Sequence, residues 1–145
     1  MEVEIAYDMV GSRLRTIGDH EVDYDRLGAR PIRLGSYDFD YDLAGGRLRR
    51  IGSLDIDYDK LGTRPIKVGS FDLEYDMMGG RLRRIGDHDV DYDMMGGRVR
   101  RIGPLTVDYD MMGSRAKTLT PDEGSVAGDE LLTLAYLVLF AFKSD

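Results

Sequence analysis

A tyrosine returns every 17 residues (24 − 7 = 17), at Tyr7, Tyr24, Tyr41, Tyr58, Tyr75, Tyr92 and Tyr109. Seven copies at a constant period, with no insertion, restrict the chain to a repeat architecture more firmly than any local propensity. The clearest copy runs from Asp89 to Gly103 and reads as an acidic stretch, Tyr92-Asp93, a glycine turn and a basic stretch.

Within a copy, apolar and acidic residues alternate before the tyrosine. Ile5, Val22, Phe39, Ile56, Leu73, Val90 and Val107 stand two residues ahead of it, with flanking acids such as Asp23, Asp57 and Asp91. Period-two alternation predicts a strand with one buried and one wet face. The residue four before the tyrosine (His20, Tyr37, Leu54, Phe71, His88, Leu105) extends the buried face. Gly11, Gly28, Gly45, Gly62, Gly79, Gly96 and Gly113 follow each tyrosine at a fixed distance, which predicts a turn. A short basic strand comes next, closed by Gly18, Gly35, Gly52, Gly69, Gly86 or Gly103. Each copy is therefore a β-hairpin, and successive hairpins form an antiparallel meander. Pro31 and Pro65 cannot donate to a ladder, so each is expected at a strand start.

The basic strands carry two patterns. Ile32 and Leu34 are two apart and share a face in a regular strand, whereas Leu82 and Ile85 are three apart and do not. Either a β-bulge or an inward Arg83 that reaches the rim reconciles them. Acidic strands alternate with basic ones, so opposite charges are expected to pair across strands.

After Thr118 the repeat stops. Thr120 to Gly124 read as turn and cap residues, and Leu131 to Phe142 are apolar on every side, as in a helix surrounded by protein or lipid. A membrane span needs about 20 such residues; this run has 12 (131 to 142). Asp129 and Glu130 suit its N-terminus and Lys143 its C-terminus. Its length of about 18 Å matches that of a short strand. Fourteen strands (7 × 2) closed into a ring have a radius of roughly 13 Å, room for one helix and inward side chains. The expected fold is mainly β: seven 17-residue hairpins in a 14-stranded antiparallel meander or barrel wrapped around a hydrophobic C-terminal α-helix. Residues 1–119 form the barrel, 120–128 a linker and 129–143 the central helix, all one domain.

The phrase Tyr75-Asp76-Met77-Met78-Gly79-Gly80-Arg81-Leu82 resembles the YD/RHS repeats of bacterial toxin shells, whose units are longer and have one glycine before Arg-Leu. Over residues 1–142, short hairpins around an apolar helix resemble the β-flower proteins. These in turn resemble tubby C-terminal and phospholipid-scramblase-like barrels. The resemblance is one of architecture. Tubby-like domains bind phosphoinositides through basic surface residues, but no matching motif is present and no ligand residue is carried over.

The charge is mixed, 27 acidic against 20 basic residues for a net of −7. That argues against nucleic acid as a partner. There is no cysteine. The opening Met1 to Ile5 lacks a basic or apolar leader, so a cytoplasmic location is expected, with a membrane-peripheral one as the alternative. No catalytic triad, phosphate loop or zinc spacing is present, and His20 and His88 read as rim residues. Asp-x-Asp-Tyr-Asp runs offer oxygens to Ca²⁺, but nearby arginines neutralise them, so no cofactor or metal is expected. The tyrosines read as core.

Met77, Met78, Met94, Met95, Met111 and Met112 flank the turn glycines. They either form an apolar rim that contacts a partner or plug one end of the barrel. Arg49, Arg50, Arg83, Arg84, Arg100 and Arg101 are the candidates for an anion or lipid headgroup. The expected function is a non-enzymatic binding or scaffold module with an unknown protein partner, monomeric by default. The alternatives are a lipid binder at an anionic membrane surface and an enzyme with a site in the barrel mouth.

Overall fold

The computed structural model describes residues 2–9, 13–27, 30–43, 46–61, 64–77, 80–94, 97–111 and 115–142. The invariant turn glycines, from Gly11 to Gly113, lie outside these residues, as do Met78, Met95, Met112 and Lys143. Fourteen strands are present: β1 Val3–Tyr7, β2 Leu14–Ile17, β3 His20–Tyr24, β4 Pro31–Leu34, β5 Tyr37–Tyr41, β6 Leu48–Ile51 and β7 Leu54–Tyr58 in the first half. The second half has β8 Pro65–Val68, β9 Phe71–Tyr75, β10 Leu82–Ile85, β11 His88–Tyr92, β12 Val99–Ile102, β13 Leu105–Tyr109 and β14 Ala116–Pro121. They follow one another in a single order that closes as a barrel, with β1 beside both β14 and β2. At the closure Val3 stands opposite Leu119 and Glu4 opposite Thr118. Pro31 and Pro65 open β4 and β8, as expected.

Chain contacts group the residues into two compact units, Ala6–Asp72, and Met1–Ile5 with Leu73–Asp145. In the first, alternate residues of each acidic strand point to the buried face: Val22, Phe39 and Ile56. The second repeats this with Leu73, Val90 and Val107, and adds the helix.

The basic strands resolve their conflicting patterns through a bulge. In six hairpins the register shifts by one residue beside the tyrosine. Tyr75 faces Leu82 while Glu74 faces Arg84, so Arg83 is the extra residue. The insertion lets Leu82 and Ile85, three apart, both turn inward and become buried. Arg83 points outward and pairs with Glu74 at 3.1 Å, which removes the inward alternative. The regular-strand expectation for Ile32 and Leu34 is corrected. Ile32 is the bulged residue opposite Asp23 and Tyr24, and it is 41% exposed while Leu34 is buried. Ile66 repeats this in β8, with Val68 buried. A bulge in each of these hairpins also adds local twist and bend, the bias a short-stranded meander needs to curl into a ring.

The glycines at the tight turns, Gly35, Gly52, Gly69 and Gly103, work by a close approach. Gly103 has φ 53°, and an added Cβ would stand 2.5 Å from the Nδ1 and 3.0 Å from the Cβ of His88. Gly35 meets His20 in the same way. The residue four before each tyrosine thus covers the turn of its own hairpin's far end, and the two histidines are turn covers.

β14 continues through Thr120 and Pro121, where a turn was expected, because Leu105 and Thr106 of β13 still offer partners there. A helix follows, α1 Asp129–Tyr136, with Asp129 and Glu130 in its first turn and Gly128 at its N-cap. It ends in a π-helical turn, Leu137–Ala141, in which Phe142 N–H donates to Leu137 O at 2.7 Å. Leu132 to Val138 are buried on all sides, and Tyr136 stacks on Phe140 at 5.8 Å between ring centroids. No helix among the described residues is long and apolar enough to cross a membrane. Apart from Ile32 and Ile66, the exposed strand residues are charged, unlike the apolar band of a membrane-spanning barrel.

The two kinds of glycine separate in a substitution test. A Cβ added at Gly97 (φ 71°) would meet nothing within 4 Å, whereas one at Gly103 would be crowded. Gly97→Ala should lose only the backbone preference, about 1 kcal/mol. Gly103→Ala should lose about 2–3 kcal/mol, because a steric clash is added. Urea denaturation of both variants measures the difference, and equal losses would contradict this packing.

Candidate functional site

Neighbouring hairpins share only a short ladder. Between β6 and β7 the paired residues are Arg50 with Asp55 and Ile51 with Leu54, at the tight-turn end. At the other end the strands are joined by a side chain. Tyr58 Oη donates to the carbonyl of Leu48, the first residue of β6, at 2.6 Å. The same bond joins Tyr24 to Leu14, Tyr41 to Pro31, Tyr92 to Leu82 and Tyr109 to Val99, at 2.6–2.8 Å. The tyrosine therefore hydrogen-bonds a carbonyl ten residues earlier, in the preceding hairpin.

An arginine completes the junction. The guanidinium of Arg47 lies 4.3 Å from the centroid of the Tyr58 ring, and its Nε donates to Asp42 at 2.8 Å. Arg13, Arg30, Arg81 and Arg98 cover Tyr24, Tyr41, Tyr92 and Tyr109 at 4.2–4.5 Å. The aspartate that follows each tyrosine holds the arginine of its own turn: Asp8 with Arg13, Asp76 with Arg81, Asp93 with Arg98, Asp110 with Arg115. Its N–H also donates to that arginine's carbonyl, closing the base of the turn at 2.8–2.9 Å. Tyr-Asp and the arginine six residues after the tyrosine are thus one clasp, in which Asp fixes Arg and Arg stacks on the next hairpin's Tyr. The tyrosines are half-buried under arginine rather than wholly in the core.

Burial raises the phenol pKa of Tyr24, Tyr58, Tyr92 and Tyr109, against the opposing pull of the stacked arginine. Tyr41 is pushed up to about 12 for the same reason, with Arg30 opposing.

The candidate arginines fall into two groups. Arg50 pairs with Asp55 at 2.7 Å, Arg84 with Asp89 at 3.0 Å, Arg83 with Glu74, and Arg101 with Asp122. These belong to the cross-strand ladder that was expected, alongside Arg33 with Asp38 and Lys67 with Asp72. Such exposed pairs contribute about 0–1 kcal/mol each. Arg49 and Arg100 occupy bulges, point to solvent and form no ion pair with another described residue. The six arginines do not converge on one anion site. Among the described residues no three acidic or histidine side chains group to hold a metal.

The turn tips differ from the rest of the surface. Met77, Met94 and Met111 are 98%, 97% and 101% exposed. They point into solvent, so the plug alternative fails for these three. Met78, Met95 and Met112 lie outside the described residues. No protein-family model matches the chain. No curated protein and no solved structure matches it either.

Exposed apolar tips are not confined to the methionine pairs. Met9, Leu27, Leu43 and Leu61 are 86–107% exposed in the other unit. Every copy therefore carries a fully exposed, large apolar side chain two or three residues after its tyrosine. In copies two and four, where Arg26 and Lys60 take the first of these positions, leucine takes the second. That substitution pattern is the signal in the sequence for Leu27 and Leu61.

The raised phenol pKa values set the alkaline limit of the fold. The unfolded chain releases its phenol protons near pH 10, whereas folded Tyr41 holds its proton to about 12. Stability is therefore full below about pH 10 and falls as pH rises through about 12. Phenolate absorbance and far-UV circular dichroism should change together in that window. Ionisation of all tyrosines near pH 10 with the dichroism intact would contradict the clasp.

Proposed function

We propose that the protein is a non-enzymatic binding module that makes contact through its apolar turn tips. One observation carries the reading: each of the seven tips exposes a methionine or leucine almost completely. Such a side chain contributes nothing to the core and raises the risk of aggregation. Its recurrence in every copy, even where a cation displaces it by one position, is what a contact surface requires. Arg50, Arg83, Arg84 and Arg101 are engaged in ion pairs, and turn arginines such as Arg47 and Arg98 in clasps. In this reading the wall of the barrel is a scaffold and the tips are the working parts.

The β-flower resemblance fits this reading in plan: a rigid ring of short hairpins presenting its turns. It adds no ligand.

Photo-crosslinking in intact source cells tests the proposal. A diazirine side chain at position 43, 77 or 94 should give light-dependent adducts, whether to protein or lipid. The same group at the exposed wall positions 57 and 91 should give none. Adducts from the wall alone, or from neither, would overturn the reading.

A further inference from the structure

The tips are separate fingers. A relative exposure near 100% means that Met77, Met94 and Met111 touch almost nothing, including one another, although they stand on consecutive hairpins. A protein partner would need a separate pocket for each finger, whereas stable protein interfaces are continuous patches of about 800 Å² per side. Their binding energy also concentrates in Trp, Tyr and Arg, with Leu under-represented. The tips carry Met and Leu, while seven of the nine tyrosines sit in the repeat's clasp position. Separate apolar fingers, four of them flexible, unbranched methionines, suit a fluid that closes around each one.

The surroundings of the tips agree. At the base of the tips that carry Met9, Leu43, Met77, Met94 and Met111 an aspartate and an arginine neutralise each other, as in Asp93 with Arg98 at 2.8 Å. Approach to an apolar medium therefore strands no lone charge at those five bases. In the Ala6–Asp72 unit the cations added at tips are Arg26 and Lys60, whereas the tight turn at the opposite end of β2 and β3 carries Asp19. An anionic surface would draw the tips forward and repel the other end.

We propose that the tips insert into the interfacial region of a phospholipid bilayer, each apolar side chain entering as its own wedge. This rests on the contact-surface reading above and names its partner. Insertion is shallow, about 5–10 Å, the depth usual for interfacial elements. Going deeper would carry charged pairs such as Asp93 with Arg98 into hydrocarbon.

Co-sedimentation of the purified protein with phosphatidylcholine vesicles containing phosphatidylglycerol tests this, at low and high salt. The protein should pellet with vesicles and a substantial share should remain bound at high salt, because apolar insertion is not screened. A triple variant, Met77→Ser, Met94→Ser and Met111→Ser, should keep its circular dichroism and thermal midpoint. It should lose partitioning by about tenfold or more. No pelleting of the parent protein, equal pelleting of the variant, or complete release at high salt would each overturn the inference. If vesicles fail while crosslinks at position 77 or 94 join a protein, lipid is the wrong partner and the contact surface stands. If the tips give no crosslink at all, the contact surface itself is wrong.

Discussion

A phenol hydroxyl donated to a backbone carbonyl ten residues earlier is the bond on which the rest of this structure depends. Without it, adjacent hairpins would share two pairs of ladder residues and splay apart beyond them. The bulge causes the problem and the tyrosine solves it. Bulging draws both apolar residues of strands such as β6 and β10 inward, but it ends regular pairing near the strand's first residue. The carbonyl left there is the one the tyrosine reaches. Arginine then shields the ring and aspartate anchors the arginine. Taken singly these contacts are modest: about 1 kcal/mol for the hydrogen bond and about 0.5–1 kcal/mol for an exposed cation–π contact. Repetition makes them sufficient, because the junctions at Tyr24, Tyr41, Tyr58, Tyr92 and Tyr109 each receive the hydrogen bond and the stacked arginine.

The plan of the molecule was legible because it is periodic. Strand count, hairpin order and the inward face of the acidic strands follow from alternation and from the 17-residue step. Ile32 shows where that reasoning fails. Two-residue spacing to Leu34 reads as a shared face, but in five of the seven copies the first inward residue and the last are three apart, as in Leu48 and Ile51 or Leu82 and Ile85. Pro31 and Pro65 hold the first inward position in the other two copies, which hides the rule. The common three-residue spacing was the evidence for a bulge, and the two exceptions looked more regular than they are.

The clasp was half legible. Tyr-Asp was visible as a motif, yet the arginine six residues after the tyrosine, present in all seven copies from Arg13 to Arg115, reads in sequence as one more surface charge. Its role depends on a neighbour in the next hairpin, which local patterning does not report. The candidate arginines were chosen for clustering, and clustering reflected ladder pairing: Arg50 and Arg84 face Asp55 and Asp89. At the tips the methionine doublets drew notice by composition. Leu27, Leu43 and Leu61 did not, because leucine is usually buried and only exposure distinguishes these three. The division of labour is consistent: repeated charges tie the wall together, and what the fold leaves unused is the apolar tip.

The clasp makes Arg47 and Tyr58 energetically one unit, and a double-mutant cycle measures that directly. Arg47→Ala, Tyr58→Leu and the double variant are compared by chemical denaturation. The account predicts a coupling of about 0.5–2 kcal/mol between two residues eleven positions apart. Losses that add to within about 0.3 kcal/mol would show that the arginine merely lies near the ring, and that hairpins are joined by something else.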